Sequence, residues 1–187
     1  KTWSKRFGIN QATAITCVKP SGTVSQLVNA ASGIHARHND YYIRRVRGDK
    51  KDPLTQFLQS QNIPIEDCVM KPDSTSVFSF VEKAPSGCIT RNKRTAIEQL
   101  DHWLAYAKHW CEHKPSVTIS VNEDEWLGVA DWCWRNFDDL SGISFLPNFG
   151  HVYQQAPYED IDEIKYHKLK KNQPNKINWN ELALYEQ

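Results

Sequence analysis

Short β-rich runs alternate with stretches of helical period along most of this chain, and that order restricts the architectures open to it. Ile97, Leu100, Leu104, Ala107 and Cys111 recur at helical spacing across residues 92–113, with Trp103 and Trp110 widening the stripe. Pro115 ends that segment, and Ser116-Val117-Thr118-Ile119-Ser120-Val121 then reads as a strand. Asn122 is an N-cap, followed by Glu123, Asp124 and Glu125 where a helix dipole favours acids. The helix it opens runs through residue 138, with Trp126, Ala130, Cys133, Trp134 and Phe137 as its expected buried side. Residues 142–146 form a further strand, stopped by Pro147. This order predicts parallel strands and an α/β fold.

The first half of the chain follows a similar rhythm. Residues 12–18 are β-rich and mostly apolar, as in a strand covered on both faces. Pro20-Ser21-Gly22-Thr23 is a turn, and Val24, Leu27 and Val28 give a short helix one apolar face. After a polar connection over residues 29–39, Tyr41–Arg47 is predicted as a strand, 48–52 as a turn and 53–61 as a helix with Pro at its first position. Residues 74–81 alternate as a strand does. Pro157-Tyr158-Glu159 is expected to open an acidic helix that turns basic by Lys168, and the tail after Asn172 is expected to be weakly structured. No fixed-period repeat or low-complexity segment is present.

Composition narrows the class. With 187 residues, 40% hydrophobic and 11% aromatic, the chain is neither disordered nor in need of disulfide staples. No apolar run is long enough to span a bilayer as a helix, and the start, from Lys1, lacks the apolar core of a signal peptide. The five cysteines (Cys17, Cys68, Cys88, Cys111 and Cys133) include no CxxC pair, which fits reduced thiols and a cytoplasmic location. Because residue 1 is Lys, we expect a piece of a longer chain. The net charge of +1 hides a gradient: residues 1–52 hold ten basic and three acidic residues, residues 115–187 six and twelve. The positive third contains the most chemically suggestive segment and favours an anion there.

That segment is residues 14–27, a β-rich run leading through small residues into a helix. Such a junction presents free backbone N–H groups, a ready site for phosphate. The candidate binding residues are Pro20, Ser21, Gly22, Thr23, Val24 and Ser25. Pro20 fixes the turn, Gly22 admits an anion close to the backbone, and Ser21 and Thr23 add hydroxyls. The loop matches neither GxxxxGK[ST] nor GxGxxG, and from its residues alone an ordinary helix cap remains an alternative. Two other groupings carry weaker chemistry. His35, His38, Cys111 and His113 would suggest zinc, but a Cys-x-His pair on a helix points its side chains about 200° apart. Arg44, Arg45 and Arg47 would suggest nucleic acid, but no basic-aromatic surface pattern accompanies them.

Several runs together resemble one family. Residues 16–25 with Gly33-Ile34-His35 and Tyr41–Arg47, then residues 109–119, 142–147 and 153–158, are similar in order and content to the adenosylcobalamin-dependent (class II) ribonucleotide reductases. The monomeric ribonucleoside-triphosphate reductase branch is the most similar. The resemblance implies that residues 1–171 are the C-terminal portion of a ten-stranded α/β barrel and that residues 172–187 are a polar extension towards a redox tail. It implies that Pro20, Ser21, Gly22, Thr23, Val24 and Ser25 hold the phosphates of a ribonucleoside triphosphate. The chemistry implied is replacement of the ribose 2′-OH by hydrogen. Adenosylcobalamin would generate a cysteine thiyl radical, and a thioredoxin-like dithiol protein would supply electrons.

The chain departs from the family in two places. It contains no Asn-x-Cys-x-Glu radical-loop pattern, and it stops at Gln187 without the C-terminal cysteine pair. None of its five cysteines is therefore expected to be catalytic, and the isolated chain is expected to lack reductase activity. Iron-dependent relatives relay the radical through a tyrosine pair at positions held here by Phe145 and Leu146, which have no phenolic proton. Neither polymeric nucleic acid nor a membrane is expected as a partner. A stand-alone phosphate-binding α/β module without chemistry and a zinc-bound structural module are the alternatives. A partial barrel would expose apolar surface, so self-association in isolation is expected.

Overall fold

A computed structural model describes residues 1–22, 24–148 and 153–186. The chain forms two compact units, one from residues 1–37 and 91–149, the other from residues 38–90 and 150–187.

The first unit is built around a parallel strand pair. Thr95 caps α3 (Ala96–His109) through a reciprocal box: its hydroxyl accepts from the Glu98 N–H at 3.2 Å, and the Glu98 carboxylate accepts from the Thr95 N–H at 2.7 Å. β4 (Val117–Val121) and β5 (Ile143–Pro147) pair in parallel, Val117 opposite Ile143. α4 (Trp126–Arg135) lies between them in sequence. Ala96, Leu100 and Trp103 of α3 pack with Val117, Ile119 and Val121 of β4 and with Val129 and Trp132 of α4, all buried. Two indole N–H groups brace this core: Trp103 donates to the Pro115 carbonyl at 3.1 Å and Trp132 to the Asp101 carboxylate at 2.8 Å. Gly142 enters β5 at φ +50°, where a Cβ would stand 2.5 Å from the Pro115 carbonyl oxygen, so a larger residue has no room there. α1 (Thr2–Phe7) has no buried residue.

The outer edge of β4 is closed by side chains. The Ser120 N–H donates to Gln99 Oε1 and the Ser120 carbonyl accepts from Gln99 Nε2, both at 3.1 Å. The Thr118 N–H donates to His35 Nε2 at 3.0 Å. These groups satisfy main-chain partners that another strand would otherwise provide.

The second unit carries an antiparallel sheet of order β2-β3-β1-β6, formed by β2 (Ile65–Asp67), β3 (Thr75–Lys83), β1 (Tyr41–Asp49) and β6 (Tyr158–Asp160). Tyr41 faces Lys83, Ile65 faces Phe78 and Arg44 faces Tyr158. α2 (Pro53–Ser60) begins at Asp52, whose side chain accepts from the Leu54 N–H, with Pro53 at the first position. α5 (Glu163–Lys170) begins at Asp162 and sets Tyr166 and Leu169 against a small core of Ile43, Val81 and Ile161.

Several expectations change. Among the described residues, parallel pairing occurs between β4 and β5, while β1, β2, β3 and β6 pair antiparallel. Residues 12–18 form no regular strand: they bond to residues 110–116 through side chains and isolated main-chain groups rather than a regular ladder. Tyr158–Asp160 is a strand rather than a helix start, because it pairs with β1. α3 ends at His109, which puts Cys111 beyond the helix and leaves Trp110 exposed. On α4 the buried residues are Val129 and Trp132, while Trp134 is 81% and Phe137 70% exposed. The tail is more ordered than expected: Trp179–Leu184 is a 3-10 helix, and Trp179 and Tyr185 set their rings 5.4 and 5.9 Å from that of Phe57.

Candidate functional site

The loop singled out in the sequence lies in the first unit. Pro20, Ser21, Gly22 and Val24 are exposed and Ser25 is half-buried; Thr23 lies outside the described residues. Gly22 has φ +62°, and the space where its Cβ would stand is open to 4 Å, so a ligand can approach the backbone closely there. The element that follows, Val24–Val28, is one 3-10 turn and a half rather than the expected α-helix. Its dipole is correspondingly small, so any anion affinity rests on local N–H and O–H donors.

Three of those donors already have partners. The Ser21 N–H and, more weakly, the Ser21 hydroxyl donate to Ser32 Oγ at 2.8 and 3.4 Å, and the Val24 N–H closes the turn onto the Ser21 carbonyl at 3.2 Å. The Gly22 N–H has no protein acceptor among the described residues. The Ser25 hydroxyl oxygen is buried without a hydrogen-bond partner there. Lys19, at the base of the loop, gives two of its three ammonium protons to the Lys114 carbonyl and Ser116 Oγ, both at 3.0 Å. Arg37, only 7% exposed, donates to Asn29 Oδ1 at 3.1 Å beyond the end of the 3-10 turn. The loop is therefore small, glycine-hinged and cationic at both ends.

The sequence did not single out Ser32, whose hydroxyl caps Ser21, or Thr118, whose N–H meets His35. The role of Gly33 is steric: at φ +60°, a Cβ would stand 2.9 Å from the Lys19 carbonyl oxygen.

The other candidate groups disperse. His35 is engaged at both ring nitrogens, with Ser32 and Thr118. His38 meets Asp160 at 2.8 Å in the second unit. The His113 N–H donates to the Thr16 carbonyl at 3.1 Å, and Cys111 is a half-buried free thiol. Among the described residues, no three His, Cys, Asp or Glu side chains gather as a metal would require. The arginines of β1 are spent on the protein itself. Arg44 donates to the Pro157 carbonyl at 3.1 Å and stacks over Tyr158, Arg45 meets the Ala156 carbonyl at 3.1 Å and Glu159, and Arg47 meets the Gln155 carbonyl at 2.9 Å. Burial disfavours the charged form of Glu159, yet hydrogen bonds and charge from Lys165 and Arg45 outweigh it and hold the carboxyl below the usual range. Cys68 is held below the ordinary thiol range by the Met70 and Lys71 N–H groups with help from Arg47, but it is only 4% exposed.

No family model matches the chain. Adenosylcobalamin-dependent ribonucleoside-triphosphate reductases do. That of Euglena gracilis is 33% identical over 160 residues, covering 84% of this chain and 22% of that protein. That of Lactobacillus leichmannii is 32% identical over 171 residues, covering 89% of this chain and 23% of its own length. A crystal structure of a B12-dependent (class II) ribonucleotide reductase superposes with a TM-score of 0.78 over 98% of this chain and 26% of that one, at 28% identity. The chain is a homologue of the class II ribonucleotide reductases. Its mixed helix-strand architecture is that of one portion of the class II reductase α/β fold. It spans about a quarter or less of the length of the reductase relatives it matches in sequence.

The polar cleft of the second unit does not fit the cofactor named in those relatives. The cleft bounded by Lys50, Gln59, Ile65, Glu66, Asp67 and Ser76 has a volume of about 370 Å³ and is polar. A Lys50–Asp67 ion pair at 2.6 Å joins two of its lining residues. A corrin needs a broad, largely apolar cradle, so no chemical step is assigned to this segment through that group.

Proposed function

We propose that this chain is the substrate-anchoring segment of an adenosylcobalamin-dependent ribonucleoside-triphosphate reductase. In this reading residues 1–171 belong to the catalytic barrel and residues 172–187 lead towards a redox tail. The loop formed by Pro20, Ser21, Gly22, Thr23, Val24 and Ser25 holds the substrate's phosphates. The whole reductase would replace the ribose 2′-OH by thiyl-radical chemistry, with adenosylcobalamin as initiator and a thioredoxin-like dithiol as reductant. The observation that carries this proposal is the 33% identity to a named reductase over 84% of the chain.

The local geometry supports phosphate rather than base or sugar recognition. Gly22 leaves its backbone approachable, Ser21 carries a hydroxyl held only by a long bond to Ser32 Oγ, and Lys19 and Arg37 place positive charge at either end. A charge-assisted hydrogen bond to phosphate is about twice as strong as a neutral one. The test is Ser21→Asp in the full-length reductase, which sets a carboxylate where the phosphates would lie. KM for the ribonucleoside triphosphate should rise roughly tenfold or more, about 1.4 kcal/mol per decade, with thermal stability unchanged. An unchanged KM overturns the loop assignment. The isolated chain, given nucleotide, cofactor and dithiol, should form no deoxyribonucleotide. It should also self-associate through the exposed stripe Leu127, Ala130, Trp134 and Phe137, and a single monomeric boundary in sedimentation would contradict that.

A further inference from the structure

The loop's conformation is set from outside the loop. Thr118 on β4 directs its N–H at His35 Nε2, 3.0 Å away, which requires that nitrogen to carry no proton. His35 Nδ1 therefore holds the proton and donates it to the Ser32 carbonyl at 2.8 Å. The Ser32 hydroxyl oxygen in turn accepts from the Ser21 N–H at 2.8 Å and from the Ser21 hydroxyl at 3.4 Å. Between them Gly33 presses on the Lys19 carbonyl, with no room for a side chain. A continuous line of hydrogen bonds thus runs from the β4 edge, through a histidine with one defined tautomer, to the first serine of the loop.

We infer that Ser32 and His35 are positioning residues for phosphate binding: they fix Ser21 relative to β4, so the loop is pre-organised before substrate arrives. This rests on the phosphate-loop reading above. The Ser21 N–H is held by the protein, so that main-chain group serves as an anchor rather than as a ligand. The N–H of Gly22 is left for the anion, and the Ser21 hydroxyl, held only by a long 3.4 Å bond to Ser32 Oγ, can turn towards it. The conformational freedom lost when a phosphate binds is then small, because the turn has already given it up on folding.

The test uses the full-length reductase and compares equilibrium binding of a ribonucleoside triphosphate with that of the unphosphorylated ribonucleoside. Ser32→Ala and His35→Ala should each weaken the triphosphate roughly two- to tenfold, the range of one hydrogen bond. Binding of the ribonucleoside should not change. The double variant should be no weaker than the worse single one, since the two residues act in series. Where His35→Ala fails to fold, His35→Gln keeps an acceptor for the Thr118 N–H and should bind the triphosphate more tightly than Ser32→Ala does. Equal loss for both ligands would mean a general structural role and overturns the inference. Wild-type triphosphate affinity in Ser32→Ala and His35→Ala, alongside a large loss in Ser21→Asp, overturns the clamp and leaves the loop standing. No loss in Ser21→Asp removes the loop reading and the clamp with it.

Discussion

The two sheets of this chain satisfy their strands by different means. In the antiparallel sheet β1 lies between β3 and β6, and β3 between β2 and β1, so both inner strands have strands on either side. In the parallel pair β4 has a strand on one side only. Its other side is met by the amide of Gln99 and the imidazole of His35. Ladder hydrogen bonds form cooperatively along a strand, whereas each side-chain substitute depends on one rotamer and one helix or turn. The parallel pair should therefore be the more sensitive of the two to single substitutions.

The largest effect is expected in the core beneath β4. Trp103 is fully buried and its indole N–H reaches the Pro115 carbonyl. Trp103→Ala should cost about 3–5 kcal/mol, through lost burial and the cavity it leaves. Hydrogen exchange locates the damage: β4 amides should lose protection while those of β1 and β3 keep theirs. Loss of protection in both sheets would break the contrast. Gln99→Ala is the sharper probe, because it leaves the Ser120 N–H and carbonyl to find new partners at once. Ser120 is half-buried, so about 1–3 kcal/mol is expected, again confined to the parallel unit.

Features encoded over short spans were legible in the sequence. The Asp52-Pro53 helix start, the β4 run and the acidic turn after Asn122 all lie where they were read. Features that depend on distant partners were not. β6 has three residues and exists because β1 offers it an edge. Residues 12–18 have strand composition but no ladder to join. α4 and the turn after it carry two apolar stripes, one through Val129 and Trp132 and one through Ala130, Trp134 and Phe137. Periodicity cannot say which one faces α3; the Trp132–Asp101 hydrogen bond does. The loop Pro20–Ser25 was visible as a turn of small residues, but its link to Thr118 spans 83 positions from His35 and leaves no local mark.

The antiparallel sheet should show its own signature under acid. The Glu159 carboxyl is held below the usual range in the folded state, despite burial, by Lys165 and Arg45. The folded form therefore binds its proton less readily than the unfolded chain. Its contribution is present above the ordinary glutamate range and is lost as pH falls towards the folded value. Chemical denaturation across pH 3–7 should show stability falling with acid, and Glu159→Gln should flatten part of that slope. A slope unchanged by Glu159→Gln would place the acid sensitivity elsewhere.

The smallest effect is expected from the ion pair between Arg135 and Asp131, one helical turn apart on α4. Both side chains are well exposed, at 68% and 60%. In such a setting the Coulombic gain is screened by water and offset by the entropy of holding two flexible side chains together. Asp131→Ala should therefore change stability by only about 0.3–0.5 kcal/mol, and less in high salt. This substitution lies in the unit expected to be fragile, which makes it a fair control for the contrast between the sheets. If the parallel unit is sensitive because side chains close the β4 edge, a surface substitution that leaves Gln99, His35 and the Trp103 core intact should not reduce protection of the β4 amides. If Asp131→Ala were to strip that protection as Gln99→Ala does, the unit would be weak throughout and edge closure would explain none of it.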